Sequence, residues 1–241
     1  MGEENMGLRR KLAWLRGFDL QRIRKSESAV ALAFRLMDLS RSSLVLDVGA
    51  NEGQFALDIL KRESSRRIVS FEPLPGAYDR LRRNAARYPV WTVAERMAIG
   101  EADGIVQVNA SEFSPSSSIR ESTERNLKAF PGTSSTGKVD APLKRLDEVA
   151  GRYSSPDDRF YLKIDTQGFE REVIKGSTGI MDRIVAVQAE MNLVPMYDGA
   201  ALMDEMVALM SSFGFKLFGI SNGSRDPETS ELLEADGFFI R

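Results

Sequence analysis

Three short stretches concentrate the residues able to do chemistry. In LVLDVGANEGQFALDIL (residues 44–60), Asp47 closes an apolar run and is followed by Gly49, Ala50, Asn51, Glu52 and Gly53. A dinucleotide turn needs G-x-G-x-x-G so that backbone can close on a pyrophosphate. Here position 51 is Asn, and a carboxylate at the strand end repels phosphate. The pair suits a cationic or hydrogen-donating group, such as the ammonium of an amino acid. In IVSFEP, Glu72 follows about twenty residues after the glycine turn, where an acid can hold both hydroxyls of a ribose. An acid for an amino-acid moiety, a glycine turn and a second acid for ribose together describe an S-adenosylmethionine (SAM) site. The third stretch is YLKIDTQGFEREVIKG (residues 161–176). Two apart on a strand, Lys163 and Asp165 share a face; Gly168 and Glu170 follow at a helix start. The next strand, VAVQAEMN, delivers Glu190 and Asn192. Asp165, Glu170 and Glu190 could converge on a substrate, although Lys163–Asp165 also reads as a buried ion pair and Glu170 as a complement to its helix N-terminus.

Composition narrows the chemistry further. The chain has neither Cys nor His, which removes thiolate nucleophiles, disulfides, Cys-held metals and Ser-His-Asp catalysis. A general base must be Asp, Glu, Lys, Tyr or water, and any metal must be held by oxygen, favouring Mg²⁺, Ca²⁺ or Mn²⁺. A net charge of −2 gives no nucleic-acid footprint. No stretch approaches the ~18 apolar residues of a membrane span. The N-terminus lacks the cationic start and apolar run of a signal peptide, and Met6 stands where myristoylation needs Ser or Thr. These features lead to the expectation of a cytoplasmic protein without membrane insertion.

Positioning these groups requires a sheet. Residues 8–39 read as helical in two runs, giving an N-terminal extension over 1–40 whose basic residues, Arg9 to Lys25, form a solvated face or contact an anion. Thereafter strands are expected at 44–48, 68–71, 91–94, 160–164, 184–190, 216–221 and 237–240, and helices at 53–63, 76–87, 169–175 and 200–213. Apolar strands alternating with helices predict an α/β fold with a doubly wound, mostly parallel seven-stranded sheet. The last two strands are expected to pair as an antiparallel hairpin at its edge. The domain spans 41–241, with an inserted strand and lid-like segment at about 101–150. The polar, Ser-rich run 111–138 is the candidate lid, because long loops inside compact domains are usually functional or disordered. Ser116, Ser117 and Ser118 there can offer hydroxyls to cofactor or acceptor. Trp91, Phe113 and Tyr197 could flank adenine or a sugar ring, with core packing the better reading for Trp91.

In its ordered combination of LVLDVGANEGQF, VSFEP, AIGEADG, SSSI, LKIDTQGFEREVIKG, VQAEMN and ADGFFIR, the chain resembles FkbM-type SAM-dependent methyltransferases over residues 44–241. The resemblance implies a Rossmann-like class I methyltransferase fold and O-methylation of a hydroxyl on a sugar, glycoconjugate or secondary metabolite. It implies SAM as cofactor and S-adenosylhomocysteine (SAH) as product. Carried over, Asp47, Gly49, Asn51 and Glu72 fall at cofactor positions; Ala50, Gly53, Pro73, Ala98 and Asp165 are further candidates for cofactor contact. Asp165 and Glu190 fall beside the transferred methyl. Read from the residues themselves, Lys163 is a further catalytic candidate, and Ser117, Ser118, Glu170, Asn192 and Tyr197 are candidates for the acceptor side. Thr166-Gln167 departs from the Val-Glu common between that Asp and Gly, which removes one acid from the pocket rim. Either Asp165 or Glu190 serves as general base, or the two hold Mg²⁺. The expected partner is a small-molecule or glycan hydroxyl acceptor, not a nucleic acid, and the N-terminal helices could pack on the domain or on a second copy in a homo-oligomer. Two alternatives remain: a catalytically silent SAM-binding module, and a nucleotide-dependent oxidoreductase. The latter is disfavoured by the missing third glycine and the absence of a Tyr-x-x-x-Lys pair.

Overall fold

A computed structural model describes residues 28–111 and 114–241. The expectations placed on residues 1–27, including the basic run Arg9 to Lys25, and on Phe113 lie outside the described residues. The first described helix, α1 (Ala29–Ser40), begins where the Ser28 hydroxyl accepts from the Ala31 N–H at 3.2 Å, and stops where Arg41 turns left-handed at φ 52°. Then follow β1 (Leu44–Val48), α2 (Gln54–Leu60), β2 (Arg67–Phe71), α3 (Pro75–Ala85) and β3 (Trp91–Val93). A second run holds β4 (Ala98–Ile99), β5 (Gly104–Ser111), α4 (Glu124–Ala129), β6 (Ser135–Lys144) and α5 (Leu146–Val149). The chain closes with β7 (Phe160–Ile164), α6 (Glu170–Lys175), β8 (Ile184–Asn192), α7 (Met203–Ser212), β9 (Lys216–Asn222) and β10 (Glu234–Ile240).

Seven strands form one sheet in the order β3-β2-β1-β7-β8-β10-β9. β1 runs parallel to β2 and β7, and β7 parallel to β8, while β10 is antiparallel to both β8 and β9. The fold is therefore the doubly wound α/β sheet that the alternation predicts. The closing pair is the antiparallel edge hairpin that the sequence predicts, with β10 seated between β8 and the outermost β9. β10 begins at Glu234 and not at 237. Its first three residues alternate polar and apolar, because one face of this strand end meets a cavity and not the core. β4, β5 and β6 make a separate three-stranded sheet from the 98–144 region.

Strand alternation divides the core. Leu44, Leu46, Val48, Leu162, Ile164 and Val187 pack on one side of the sheet; Val45, Tyr161, Ala186 and Phe238 pack on the other, with α1 and α2 residues such as Leu36 and Ile59. Continuing this second face toward the strand ends gives a polar row. Asp47 is paired in register with Lys163, and Lys163 with Gln188. Strand order reverses between β1 and β7, so their carboxyl ends open the crevice where ligands of such sheets bind.

Backbone contact at that crevice is tight. Gly49 lies at φ +78°, and a Cβ on it would sit 1.9 Å from the Asp165 carbonyl oxygen. Gly53, at φ +91°, faces the Trp91 ring, which its Cβ would meet at 2.4 Å. Replacing Gly49 by Ala combines left-handed strain with a backbone clash, so we expect a loss of about 2–5 kcal/mol. The urea midpoint of the ligand-free protein measures it; a loss below about 1 kcal/mol would show that β1 and β7 can part freely at this point.

Candidate active site

The turn after β1 is fastened to β2 by backbone. The N–H groups of Gly49 and Ala50 both donate to the Phe71 carbonyl, at 3.1 and 3.0 Å. Glu72, at the end of β2, then reaches back across the turn. Its Oε2 accepts from the Asn51 N–H and its Oε1 from the Leu74 N–H, each at 2.8 Å. Asn51 takes a left-handed φ of 48° to present that N–H. Glu72 is 4% exposed; burial outweighs the two backbone donors and raises its carboxyl to about 7.

Beneath the turn, Asp47 is buried. The Trp91 indole N–H donates to the Ser70 hydroxyl, which donates to Asp47 Oδ2, both at 2.9 Å. Desolvation lifts Asp47 to about 6, although Lys163 and Ser70 pull it down. The Lys163 Nζ lies 3.1 Å from Asp165 Oδ2 and 5.7 Å from the centre of the Phe55 ring. Burial pulls the Lys163 ammonium down, but Asp165, Asp236 and Asp47 together outweigh it and hold the proton on. Burial likewise presses Asp165 upward, yet Lys163 and the Gln167 amide prevail and keep it below the ordinary carboxylate range.

Two cavities meet at Asp165. The first, with about 540 Å³ of empty space partly open to solvent, lies over the ends of β1 and β2. Gly49, Asn51, Glu72, Pro73, Ala98, Ser117 and Asp165 line it, with Phe71, Leu74, Met97, Ile99 and Ile119 as apolar walls. Among the described residues no Lys or Arg lines it, so it has an acidic wall where a pyrophosphate would need a basic one. The second cavity, about 1070 Å³ by the same measure, lies over β8 and β10 under the 115–133 segment. Asp165, Gln167, Glu190, Tyr197, Ser224 and Glu234 form its polar wall, and Phe130 and Pro131 its apolar one.

Gln167 ties this wall together from a left-handed φ of 56°. Its Nε2 donates to Asp165 Oδ1 at 2.9 Å and to Glu190 Oε2 at 2.6 Å, while its Oε1 accepts from the Tyr197 hydroxyl at 2.5 Å. Glu190 is raised well above the usual range by burial and then by the charges of Asp165 and Glu234. Burial also lifts Glu234, to about 7.

The remaining residues singled out by sequence sit elsewhere. Glu170 is buried beneath the loop, its Oε1 accepting from the Thr166 N–H, the Thr166 hydroxyl and the Gly168 N–H at 2.9, 3.1 and 3.1 Å. It braces the turn after β7 and lines neither cavity. Asn192 is 1% exposed and also lines neither. Asp47, Ala50 and Gly53 are not among the residues lining the first cavity. Ser118 donates to the Gln167 carbonyl at 2.6 Å, fixing the loop from outside, whereas Ser117 reaches the first cavity. The Mg²⁺ expectation meets an unsuitable donor set. Between Asp165 and Glu190 stands an amide N–H₂, Asp165 already faces an ammonium, and among the described residues no three acids group to hold a metal.

Sequence reasoning missed three contributors. Glu234 and Asp236 were legible in the E-A-D alternation, which places both on one face of a strand. Arg120 carried no signal: its guanidinium donates to the Gly168 and Asp198 carbonyls at 2.7 and 2.8 Å and to Glu172 at 2.9 Å, clamping the 118–122 segment to the turn after β7.

The sequence model of the methyltransferase FkbM domain matches residues 47–217. The 31-O-demethyl-FK506 methyltransferase FkbM of Streptomyces tacrolimicus is 28% identical over 74% of this chain and 75% of its own. The 2-O-methyltransferase NoeI of Sinorhizobium fredii is 24% identical over 79% and 81%. Methyltransferase sdnD of Sordaria araneosa is 28% identical over 59% of this chain and 63% of its own. Among solved structures, a precorrin-6y C5,15-methyltransferase from Geobacter metallireducens overlaps 92% of each chain with a TM-score of 0.46 at 12% identity. With its model covering the β1 turn, Glu72, the whole β7–α6 turn and β8, the chain belongs to the FkbM methyltransferase family.

Proposed function

We propose that this chain transfers a methyl group from SAM to a hydroxyl of a small-molecule or glycan acceptor. One observation carries the reading: Asp165 is the only charged residue that lines both cavities among the described residues. It stands where a group bound over β1 and β2 would meet a group bound over β8 and β10. The names of two relatives, a 2-O-methyltransferase and a 31-O-demethyl-FK506 methyltransferase, support oxygen as the atom methylated.

The first cavity fits SAM in the chemistry of its donors. Glu72 is buried yet reaches the lining, its two oxygens oriented by backbone N–H groups and each retaining a lone pair for a ribose hydroxyl. Phe71, Met97 and Ile99 offer an apolar slot for adenine, and Gly49, Asn51 and Asp165 border the space left for the amino-acid end. When bound, the cofactor supplies an electrophilic methyl on a sulfonium. The protein aligns the acceptor and excludes water, which accounts for much of the rate in an in-line displacement. Asp165 accepts the acceptor's O–H proton. That proton becomes strongly acidic as the new O–C bond forms, so an ionised carboxylate of low pKa is a sufficient base. Lys163 keeps Asp165 ionised, and Gln167 keeps it aimed.

Replacing Asp165 by Asn should lower turnover by about 10²–10⁴-fold, while SAH affinity measured by calorimetry stays within about threefold. Retained turnover would remove Asp165 from its role. Replacing Glu72 by Ala should weaken SAH binding by about 10–100-fold, since two or more hydrogen bonds to a charged acceptor are lost.

Two pH effects of opposite sign follow from the raised acids. Asp47, Glu72 and Glu234 bind protons in the folded protein up to about 6, 7 and 7. Unfolded, each releases its proton at a lower pH. Their contribution to stability is therefore complete below about pH 4 and is lost as pH rises through 6–7, at ~1.4 kcal/mol per pH unit for each group between its two values. Denaturant unfolding of the ligand-free protein should show these groups' loss between pH 5 and pH 7.5. SAH affinity should move the other way, rising as Glu72 ionises; an affinity flat across this interval would count against a ribose-binding carboxylate.

A further inference from the structure

The acceptor-side cavity carries charge of one sign only. Asp165, Glu190 and Glu234 line it, and among the described residues no Lys or Arg does. The nearest cation, the Lys163 ammonium, is buried beneath the wall and in contact with Asp165 at 3.1 Å. Glu234 is 5% exposed and forms no ion pair among the described residues; the Ser224 hydroxyl is the donor beside it. A carboxyl group held in such burial without a cation is strongly disfavoured in its charged form.

Geometry puts two of these acids within reach of one ligand group. β8 and β10 pair antiparallel with Glu190 opposite Asp236 and Asn192 opposite Glu234. Glu190 and Glu234 are therefore diagonal neighbours on one face, with origins ~7–8 Å apart. A single ammonium placed between them can donate to both carboxylates. Across the cavity, Phe130 and Pro131 offer an apolar surface for the face of a ring. Asp165, at the junction with the first cavity, lies on the same polar wall.

Resting on the reading of this cavity as the acceptor site, we propose that the acceptor is a hydroxyamine: an amino sugar, aminocyclitol or similar ring, whose protonated amine seats between Glu190 and Glu234 while a neighbouring hydroxyl reaches Asp165. The amine supplies the cation that the wall lacks, and the two acids set which hydroxyl of a polyol is presented. Uronates and phosphorylated sugars are excluded by like charge.

The test uses the full chain saturated with SAH and calorimetric titration of three hydroxyamines: 2-deoxystreptamine, galactosamine and kanamycin. Their N-acetylated forms, maltotriose and trigalacturonate serve as neutral and anionic counterparts. At least one hydroxyamine should bind about tenfold or more tightly than its N-acetylated form, and trigalacturonate should not bind. Glu234→Gln, and independently Glu190→Gln, should reduce that preference by about fivefold or more, with SAH affinity unchanged and the melting temperature not lowered. The proposal is overturned if no hydroxyamine binds, if an acetylated, neutral or anionic probe binds as tightly, or if both variants leave the preference intact. SAH titration separates the two readings. Failure of SAH to bind defeats the methyltransferase reading itself, whereas SAH binding with methylation of neutral acceptors defeats the hydroxyamine alone.

Discussion

A lysine ammonium buried among carboxyl groups is the constraint on which the rest of this site depends. Lys163 has little access to water, and its charge is sustained by Asp165, Asp236 and Asp47 together. The dependence is mutual, because a buried charge is tolerated only with partners. Lys163 leaves Asp165 ionised at the junction of the two cavities and moderates the effect of burial on Asp47. A hydrophobic residue at 163 would leave three acids facing one another across β1, β7 and β10. The strand register is part of the same arrangement, since Asp47 and Lys163 are direct partners in the β1–β7 ladder.

Around that pair, protons and hydrogen bonds are distributed so that neighbouring acids behave differently. Asp165 is held low by an ammonium and an amide; Glu190, bridged to it by the same amide, is driven high. Glu72 is held at the first cavity by two backbone donors and lifted by burial. One sheet face thus carries acids poised for different tasks, with the difference set by their partners and not by residue type.

The sheet and the cofactor-side wall were largely legible in the sequence because their signals are local. Apolar runs such as LVLDV and FYLKI can only be buried strands here, and a glycine turn between strand and helix is a short-range pattern. The other wall was less legible because it is assembled from distant segments. Tyr197 meets Gln167 across 30 positions, and Arg120 meets Gly168 across 48. Glu170 was ambiguous for a related reason: an acid at a helix start has the same sequence signature whether it faces a ligand or, as here, folds back on the turn before it. The start of β10 escaped notice because Glu234 and Asp236 made it look like a loop, although polar residues on alternate positions are what a strand beside a cavity requires.

The insertion of β10 between β8 and β9 divides the molecule's liabilities unevenly along its length. Among the described residues, the cavity proposed for the cofactor is lined from the β1 and β2 turns, the 97–119 region and the end of β7, whereas the far wall draws on the last strands, the turn after β7 and the 115–133 segment. Only Asp165 and Pro115 belong to both among the described residues. Substitutions near the C-terminus can therefore remodel what is accepted without disturbing what is donated. On the proposed function, a lineage built on this plan is free to change clients by drift in its final strand, while the turns after β1, β2 and β7 stay under the constraint of a single unchanging reagent.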